Sequence, residues 1–328
     1  MLISVNYHYI RERFDTPYPS IFGVTPEQFS SQLDLLGRDA VFLSALEISA
    51  IIGGQKQLPP RAAIVTFDDG FREQYELAWP ILQKKGIPAI FFVNTRTIDE
   101  TFVVNTHKVH LIRAYTSPGK LLNILQQICE KEKINLHLPE AGKAGEVYKY
   151  DTSESARIKY FLNHELRGEK QELIIDKCFK ELGFDEALIN PALYMTREMI
   201  SSLAEEGMLG THGHSHLPLG LLTEEEAKVD LDLSISKLKQ WTGCDMSALS
   251  YPFGFKRACS PAIAKHARCR KIKFAFTMER AGNKILDQPM FLARFSETDL
   301  FKSGQLSNSG EFWKNLPHAD WFRQSALI

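Results

Sequence analysis

The sequence is poor in cysteine and has no C-x-x-C pair. Its five cysteines (Cys129, Cys178, Cys244, Cys259 and Cys269) are scattered and odd in number. They fit reduced thiols better than a disulfide framework. Cys259 and Cys269 flank His266 without ligand-like spacing, so they read as packing or surface thiols. Net charge is also missing: 39 Lys and Arg stand against 40 Asp and Glu, which argues against a general nucleic-acid binder. No run approaches the roughly 18 apolar residues of a membrane span. Asn6, His8, Arg11 and Arg13 interrupt the N-terminal stretch too early for a secretory signal. The expected compartment is therefore the cytoplasm, with a membrane-peripheral location as the alternative. No internal repeat or low-complexity tract is visible. What remains is an ordinary globular composition, 44% hydrophobic and 24% charged over 328 residues, sufficient for a sizeable core.

Strand and helix signals alternate at both ends of the chain. Residues 2–8 read as a short apolar strand. Thr25-Pro26-Glu27-Gln28 opens a helix with a capping box and a proline at its first position, and Ser44 with Glu47 repeats the logic. Residues 62–67 (AAIVTF) form an apolar run of the kind buried on both sheet faces. A helix over 71–85 follows, closed by Gly86, and 88–93 (PAIFFV) is the next buried strand. This βαβ rhythm implies a parallel sheet. From about 97 to 190 the signals are helical, as at 120–131 and 155–166, and no strong strand occurs. We therefore expect a main domain of residues 1–96 and 191–328, with 97–190 a mostly helical insertion. The rhythm resumes with a helix over 196–206, a strand at 208–211, a Thr223/Glu226-capped helix to 241, a strand at 248–251, a helix over 261–268, a strand at 274–277 and a last strand at 291–295.

Two segments carry chemistry. Thr66-Phe67-Asp68-Asp69-Gly70 ends a buried strand. Two adjacent carboxylates there are costly, because like charge and desolvation both oppose ionisation, and a cation relieves the cost. A solvated Asp-Asp-Gly turn is the plainer alternative. Gly210-Thr211-His212-Gly213-His214-Ser215-His216 places His212 and His216 at i and i+4, able to converge on one metal if the segment makes a helical turn. His214, between them, would point away into a supporting role. A histidine-rich surface loop is the alternative. Two histidines and one carboxylate leave open positions for water and substrate, the pattern of a catalytic zinc site. Asp69 can then ligate while Asp68 stays free as a general base for the water. Zinc is the first expectation, and cobalt or nickel can share such ligands.

These residues resemble the polysaccharide deacetylases, the family-four carbohydrate esterases. The family's T-F-D-D-G motif is matched letter for letter at 66–70. A chance match somewhere in the chain is on the order of 1 in 10,000. Its H-[S/T]-x-x-H motif is matched by His212 and His216 with Gly213 at the Ser/Thr position. Its Pro-Tyr-Gly motif corresponds to Pro252-Phe253-Gly254. The resemblance covers 7–88 and 194–295 and leaves the helical stretch outside. It implies an α/β fold, a distorted (β/α)7-type barrel. It also implies Asp68 as base, Asp69, His212 and His216 as metal ligands, and the backbone N–H of Phe253 as an oxyanion donor. The usual Arg beside the third motif is absent, and Arg294 is the replacement we expect. The usual late Leu-x-His is absent too, and His8 at the end of the first strand is our candidate for the acid that protonates the leaving amine. The variant motif order resembles that of deacetylases acting on exported polysaccharides.

The expected activity is removal of an N-acetyl group from a sugar unit of a glycan or its precursor. A basic stretch (Lys256, Arg257, Lys265, Arg268, Arg270, Lys271 and Lys273) could meet the phosphate of a lipid- or nucleotide-linked sugar, although a solvated surface is the plainer reading. Trp79, Trp241, Trp313 and Trp321 could stack on sugar rings, with core packing the default for the first two. Hydrolysis of a formamide or cyclic amide on the same metal site, and glycan binding without catalysis, are the competing readings.

Overall fold

An apolar strand buried on both faces, Leu2–Tyr7 (β1), opens the chain. In this computed structural model, which describes residues 1–148, 151–301 and 309–322, it is the first of the seven strands that form the continuous path of an eight-stranded parallel sheet. The others are Ala62–Phe67 (β2), Ala89–Val93 (β3), Leu209–Thr211 (β4), Ala248–Ser250 (β5), Phe274–Phe276 (β6) and Phe295–Ser296 (β7). Their order across the sheet is β7-β1-β2-β3-β4-β5-β6, with every pairing parallel. Leu292, just ahead of β7, bridges Phe276 of β6. The segment 292–296 thus joins the sheet's two edges and curls it into a distorted (β/α)7-type barrel. A two-residue strand, Val41–Phe42, pairs with the start of β2, and β3 pairs with its end.

Sequence-local rules set the helices around this sheet. The three expected capping boxes form: Thr25 with Gln28 at Pro26–Gly37 (α1), Ser44 with Glu47 at Ala45–Ile52 (α2), and Thr223 with Glu226 ahead of the helix Glu224–Thr242. Each satisfies two orphan N–H groups. Gly86 ends Trp79–Lys85 (α3) in the left-handed conformation, at φ 63°. Phe29 of α1 packs edge-on against Tyr7 at 4.9 Å, and Phe67 stacks on Phe91 at 4.5 Å, tying the helix layer to the strands.

Two expectations need correction. The helix over 71–85 forms without a break from residue 72 but is not α throughout: Gln74–Ala78 is a π-turn between α-helical residues 72–73 and Trp79–Lys85. The last strand is Phe295–Ser296, not 291–295. Residues Pro289–Phe291 form a 3-10 turn. The side chain of Asn283 then takes both backbone groups of Ala293, accepting from its N–H at 2.8 Å and donating to its carbonyl at 2.9 Å. The N–H of Arg294 donates to the carbonyl of Glu279. Ala293 thus has neither backbone group left for a ladder, and Arg294 has no N–H to offer one.

The chain divides into two compact units. One holds Met1–Glu12, Gly23–Glu100 and the chain from Leu193; the other holds Arg13–Phe22 and Thr101–Ala192. The second unit is helical, with Asn105–Tyr115, Pro118–Lys131, Ser153–Tyr160 and Glu169–Glu181 among its helices. It has its own core around Val109, Ile112, Leu125, Ile175 and Phe179. Lys108 is buried there and paired with Asp176 and Glu186.

Candidate active site

The carboxyl ends of the strands carry the residues singled out from the sequence. β2 runs directly into Asp68 and Asp69. Asp69 adopts φ 75° and Gly70 φ 68°, so the chain turns sharply as the strand ends. A Cβ on Gly70 would meet the Val93 side chain at 2.9 Å, so the turn needs glycine for its space and its dihedral.

Asp68 is buried against Arg294. Nη1 of Arg294 donates to Oδ1 at 2.9 Å and Nη2 to Oδ2 at 2.6 Å, a two-point contact that fixes the carboxylate plane. The Asn6 amide completes the clamp: Nδ2 donates to Asp68 Oδ2 at 3.0 Å, and Oδ1 accepts from Arg294 at 3.1 Å. The hydroxyls of Thr66 and Ser250 accept from the same guanidinium at 3.2 and 2.9 Å. Burial pushes the Asp68 carboxyl up, but the charges of Arg294 and His212 outweigh it and hold it below its ordinary value. Asp68 is thus a buried carboxylate whose surroundings favour its charged form.

Asp69 faces the histidines. Its Oδ1 lies 3.0 Å from Nε2 of His216 and 3.5 Å from Nε2 of His212. The ligating atoms of the three side chains all fall within 4.8 Å of one another, and all three residues are buried. Nδ1 of His212 is 2.8 Å from the carbonyl of Ser250. A carbonyl only accepts, so Nδ1 carries the proton and Nε2 offers its lone pair to the cluster. Burial works against a charge on His212, yet Asp68 and Asp69 overcome it and hold the imidazole above its ordinary pKa. These atoms together favour a positive charge between them, and a carboxylate with two imidazoles suits a divalent ion such as zinc.

His212 and His216 do not converge through a helical turn. The segment bends instead, with Gly213 at φ 74° and His216 at φ 58°. Asp230, on the Glu224–Thr242 helix, holds the bend. It accepts from the backbone N–H of His214 at 2.7 Å and of Ser215 at 3.0 Å, and from the Ser215 hydroxyl. A Cβ on Gly213 would meet Asp230 Oδ1 at 2.8 Å, which accounts for glycine at this position. His214 is turned to Thr95, its Nδ1 2.9 Å from that hydroxyl.

His8 lies beside the cluster, with Nε2 4.0 Å from Asp69 Oδ2. Gln74, at the start of the π-turn, donates to the carbonyls of both His8 and Asp68 at 2.8 and 2.7 Å. It ties the His8 loop to the Asp68 loop. Phe253 stands at φ 64°, with its ring 5.1 Å from that of His216. Sequence reading missed Asn6, Ser250, Gln74 and Asp230. Each is a polar side chain buried in an apolar or amphipathic run, which was the available signal. Trp79 and Trp313 are buried, and Trp241 lies under the Arg197 guanidinium.

The polysaccharide deacetylase model matches residues 55–136 and 159–271. The chain belongs to this family. The match runs through most of the helical unit, which the motif-based resemblance left outside, and it stops short of Arg294. The poly-beta-1,6-N-acetyl-D-glucosamine N-deacetylases of Staphylococcus epidermidis and Staphylococcus aureus are 31% identical over 121 residues, 34% of this chain and 40% of theirs. The matched segment thus spans well under half the length of these curated relatives. In fold, the chain is similar to IcaB from Ammonifex degensii (TM-score 0.58, 18% identity, 95% of this chain and 97% of that one). It is also similar to the Streptococcus pyogenes deacetylase PplD in complex with acetate (TM-score 0.56, 15% identity, 90% and 91%).

Proposed function

We propose that this member of the polysaccharide deacetylase family is a metal-dependent hydrolase that removes the N-acetyl group from an amino-sugar unit of a glycan. The observation that carries the reading is the pairing of an ionised, buried Asp68 with the adjacent Asp69–His212–His216 cluster. A divalent ion held by Asp69, His212 and His216, zinc in the first instance, would lower the pKa of a water and polarise the acetamide carbonyl.

The chain's own residues supply the rest. Asp68, kept ionised and oriented by Arg294 and Asn6, takes the proton of the attacking water. Arg294 has no role at the substrate; it positions Asp68. The backbone N–H of Phe253 donates to the oxygen that gains charge in the tetrahedral transition state. His8, partly exposed beside Asp69, delivers a proton to the departing sugar amine. An amine leaves poorly as an anion, so this proton matters more for an amide than for an ester. The partial likeness to poly-beta-1,6-N-acetyl-D-glucosamine N-deacetylases supports an N-acetylglucosamine-type glycan as the substrate class.

The test is acetate release from a panel of N-acetylated sugars and oligosaccharides, after chelation and with zinc or cobalt restored, comparing wild type with Asp68→Asn. Metal-dependent release that is lost in the variant supports the reading. Release of formate, or of a ring-opened product from a cyclic amide, would move it to another amide. Glycan binding without turnover in any metal would make the protein a lectin-like relative.

A further inference from the structure

Large apolar side chains stand exposed on the loops that follow β4 and β5. Leu217, Leu221, Phe253 and Phe255 are 43%, 45%, 43% and 40% exposed. Leu217 directly follows His216. The Phe253 and Phe255 rings lie 6.3 Å apart at 59°, and Phe253 also contacts the His216 ring. Exposed apolar side chains clustered beside a polar site mark a ligand surface more often than scattered ones do.

The backbone beneath them is held against strain. A bulky residue in the left-handed region is a true outlier and persists only where its surroundings impose it. Phe253 is such a residue, and its ring is not buried in return. Its neighbour Gly254 has φ 58°, and a Cβ there would meet the Met278 backbone nitrogen at 2.8 Å. The Gly254 carbonyl accepts from the Met278 N–H at 2.8 Å, and the Phe255 carbonyl accepts from the Ala258 N–H at 2.8 Å. The next loop is locked on as well: a Cβ on Gly220 would come within 2.4 Å of the Arg257 carbonyl oxygen. The turn Leu219–Leu221 therefore packs backbone to backbone on Lys256–Ala258. The two loops form one rigid rim.

We infer that Phe253 and Phe255 form a stacking platform for a pyranose ring, that of the sugar next along the glycan from the one whose acetamide enters the Asp69–His212–His216 cluster. A pyranose presents C–H groups on its faces and hydroxyls around its edge. It can lie on an aromatic face while its edge stays hydrated. The ligand class is an oligosaccharide of N-acetylhexosamine units rather than a single sugar. The inference rests on the deacetylase reading for the site it extends.

Phe255 is the residue to change, because its ring packs on Phe253, one step removed from the His216 ring that Phe253 contacts. Calorimetric titration with an N-acetylglucosamine pentasaccharide, on the full chain in chelator so that no turnover intrudes, should show about 10-fold weaker binding for Phe255→Ala. Phe255→Trp should restore it. Zinc affinity should match wild type in both variants, which a collapsed rim would not allow. Equal pentasaccharide binding by wild type and Phe255→Ala overturns the platform, and so does a wild type that binds no pentasaccharide. Phe255-dependent binding by a protein that releases no acetate with metal restored leaves the platform standing and removes the deacetylase reading alone.

Discussion

Arg294 and Asp68 meet in a buried two-point ion pair although 226 positions separate them in the chain. The guanidinium is fully buried, and Asn6, Thr66 and Ser250 occupy further faces of it. The pair therefore fixes both the charge and the plane of the proposed base.

Replacing Arg294 separates those two effects. Arg294→Lys keeps a cation but not the planar fork, so kcat should fall by about 10- to 100-fold with little change in KM. Arg294→Ala leaves the buried Asp68 without its two-point cationic partner. It should cost about 3–5 kcal/mol in urea denaturation. A lysine variant with wild-type kcat would show that charge alone suffices.

Asp230 touches none of the three ligating groups, yet it shapes the bend between the two ligating histidines. Asp230→Asn should weaken zinc binding by about 10- to 100-fold, the usual effect of losing a group that orients ligands. Gly213→Ala should act in the same direction, because its methyl would press on Asp230. Competition titration with a chromogenic chelator measures both, and unchanged zinc affinity in the pair would remove Asp230 from the role.

His8 is best tested by leaving group. With His8→Ala, turnover of an N-acetyl sugar should fall by about 100-fold or more, because the amine departs without its proton. A nitrophenyl acetate, whose phenolate leaves unaided, should lose far less. Equal losses on the two substrates would mean that His8 does something other than donate that proton.

Glu73 gives a pH dependence that does not involve catalysis. Its carboxylate bonds Arg11 Nε at 2.7 Å and the Ile10 N–H at 3.1 Å. Burial still wins and raises its pKa from 4.5 to about 7. A carboxyl with a raised folded pKa binds more protons folded than unfolded, so stability falls as pH rises from about 4.5 to about 7. Relative to Glu73→Gln, wild type should lose on the order of 1–3 kcal/mol across that window. Urea unfolding at pH 4.5 and 7.5 reads the difference, and parallel curves for the two proteins would refute it.

What was legible in the sequence was what is written locally. The Asp68–Asp69 pair, the two histidines and the capping boxes each occupy a few consecutive residues, and the parallel strands announce themselves as apolar runs. Features that depend on distant partners were not legible. Asn6 reads as a flaw in an apolar strand until Arg294 and Asp68 stand on either side of its amide. The bend between His212 and His216 depends on a carboxylate from another helix. The last strand begins late because the Asn283 side chain takes the backbone bonds of Ala293. Arg294 could be guessed as the missing cation by elimination, but only the strand order puts it beside Asp68.

That order also has a consequence on the ribosome. Among the described strands of this sheet, β1 is made before the other six on the path, yet one of its neighbours, β7, is made after them. Until about residue 296 has emerged, the nascent barrel carries an open, largely apolar edge at β1, of the sort that recruits chaperones or other chains. The counter-charge for Asp68 arrives with the same final segment. A chain cut short before Arg294 would hold the proposed metal ligands without the completed base, and would be a sticky fragment rather than a weak enzyme.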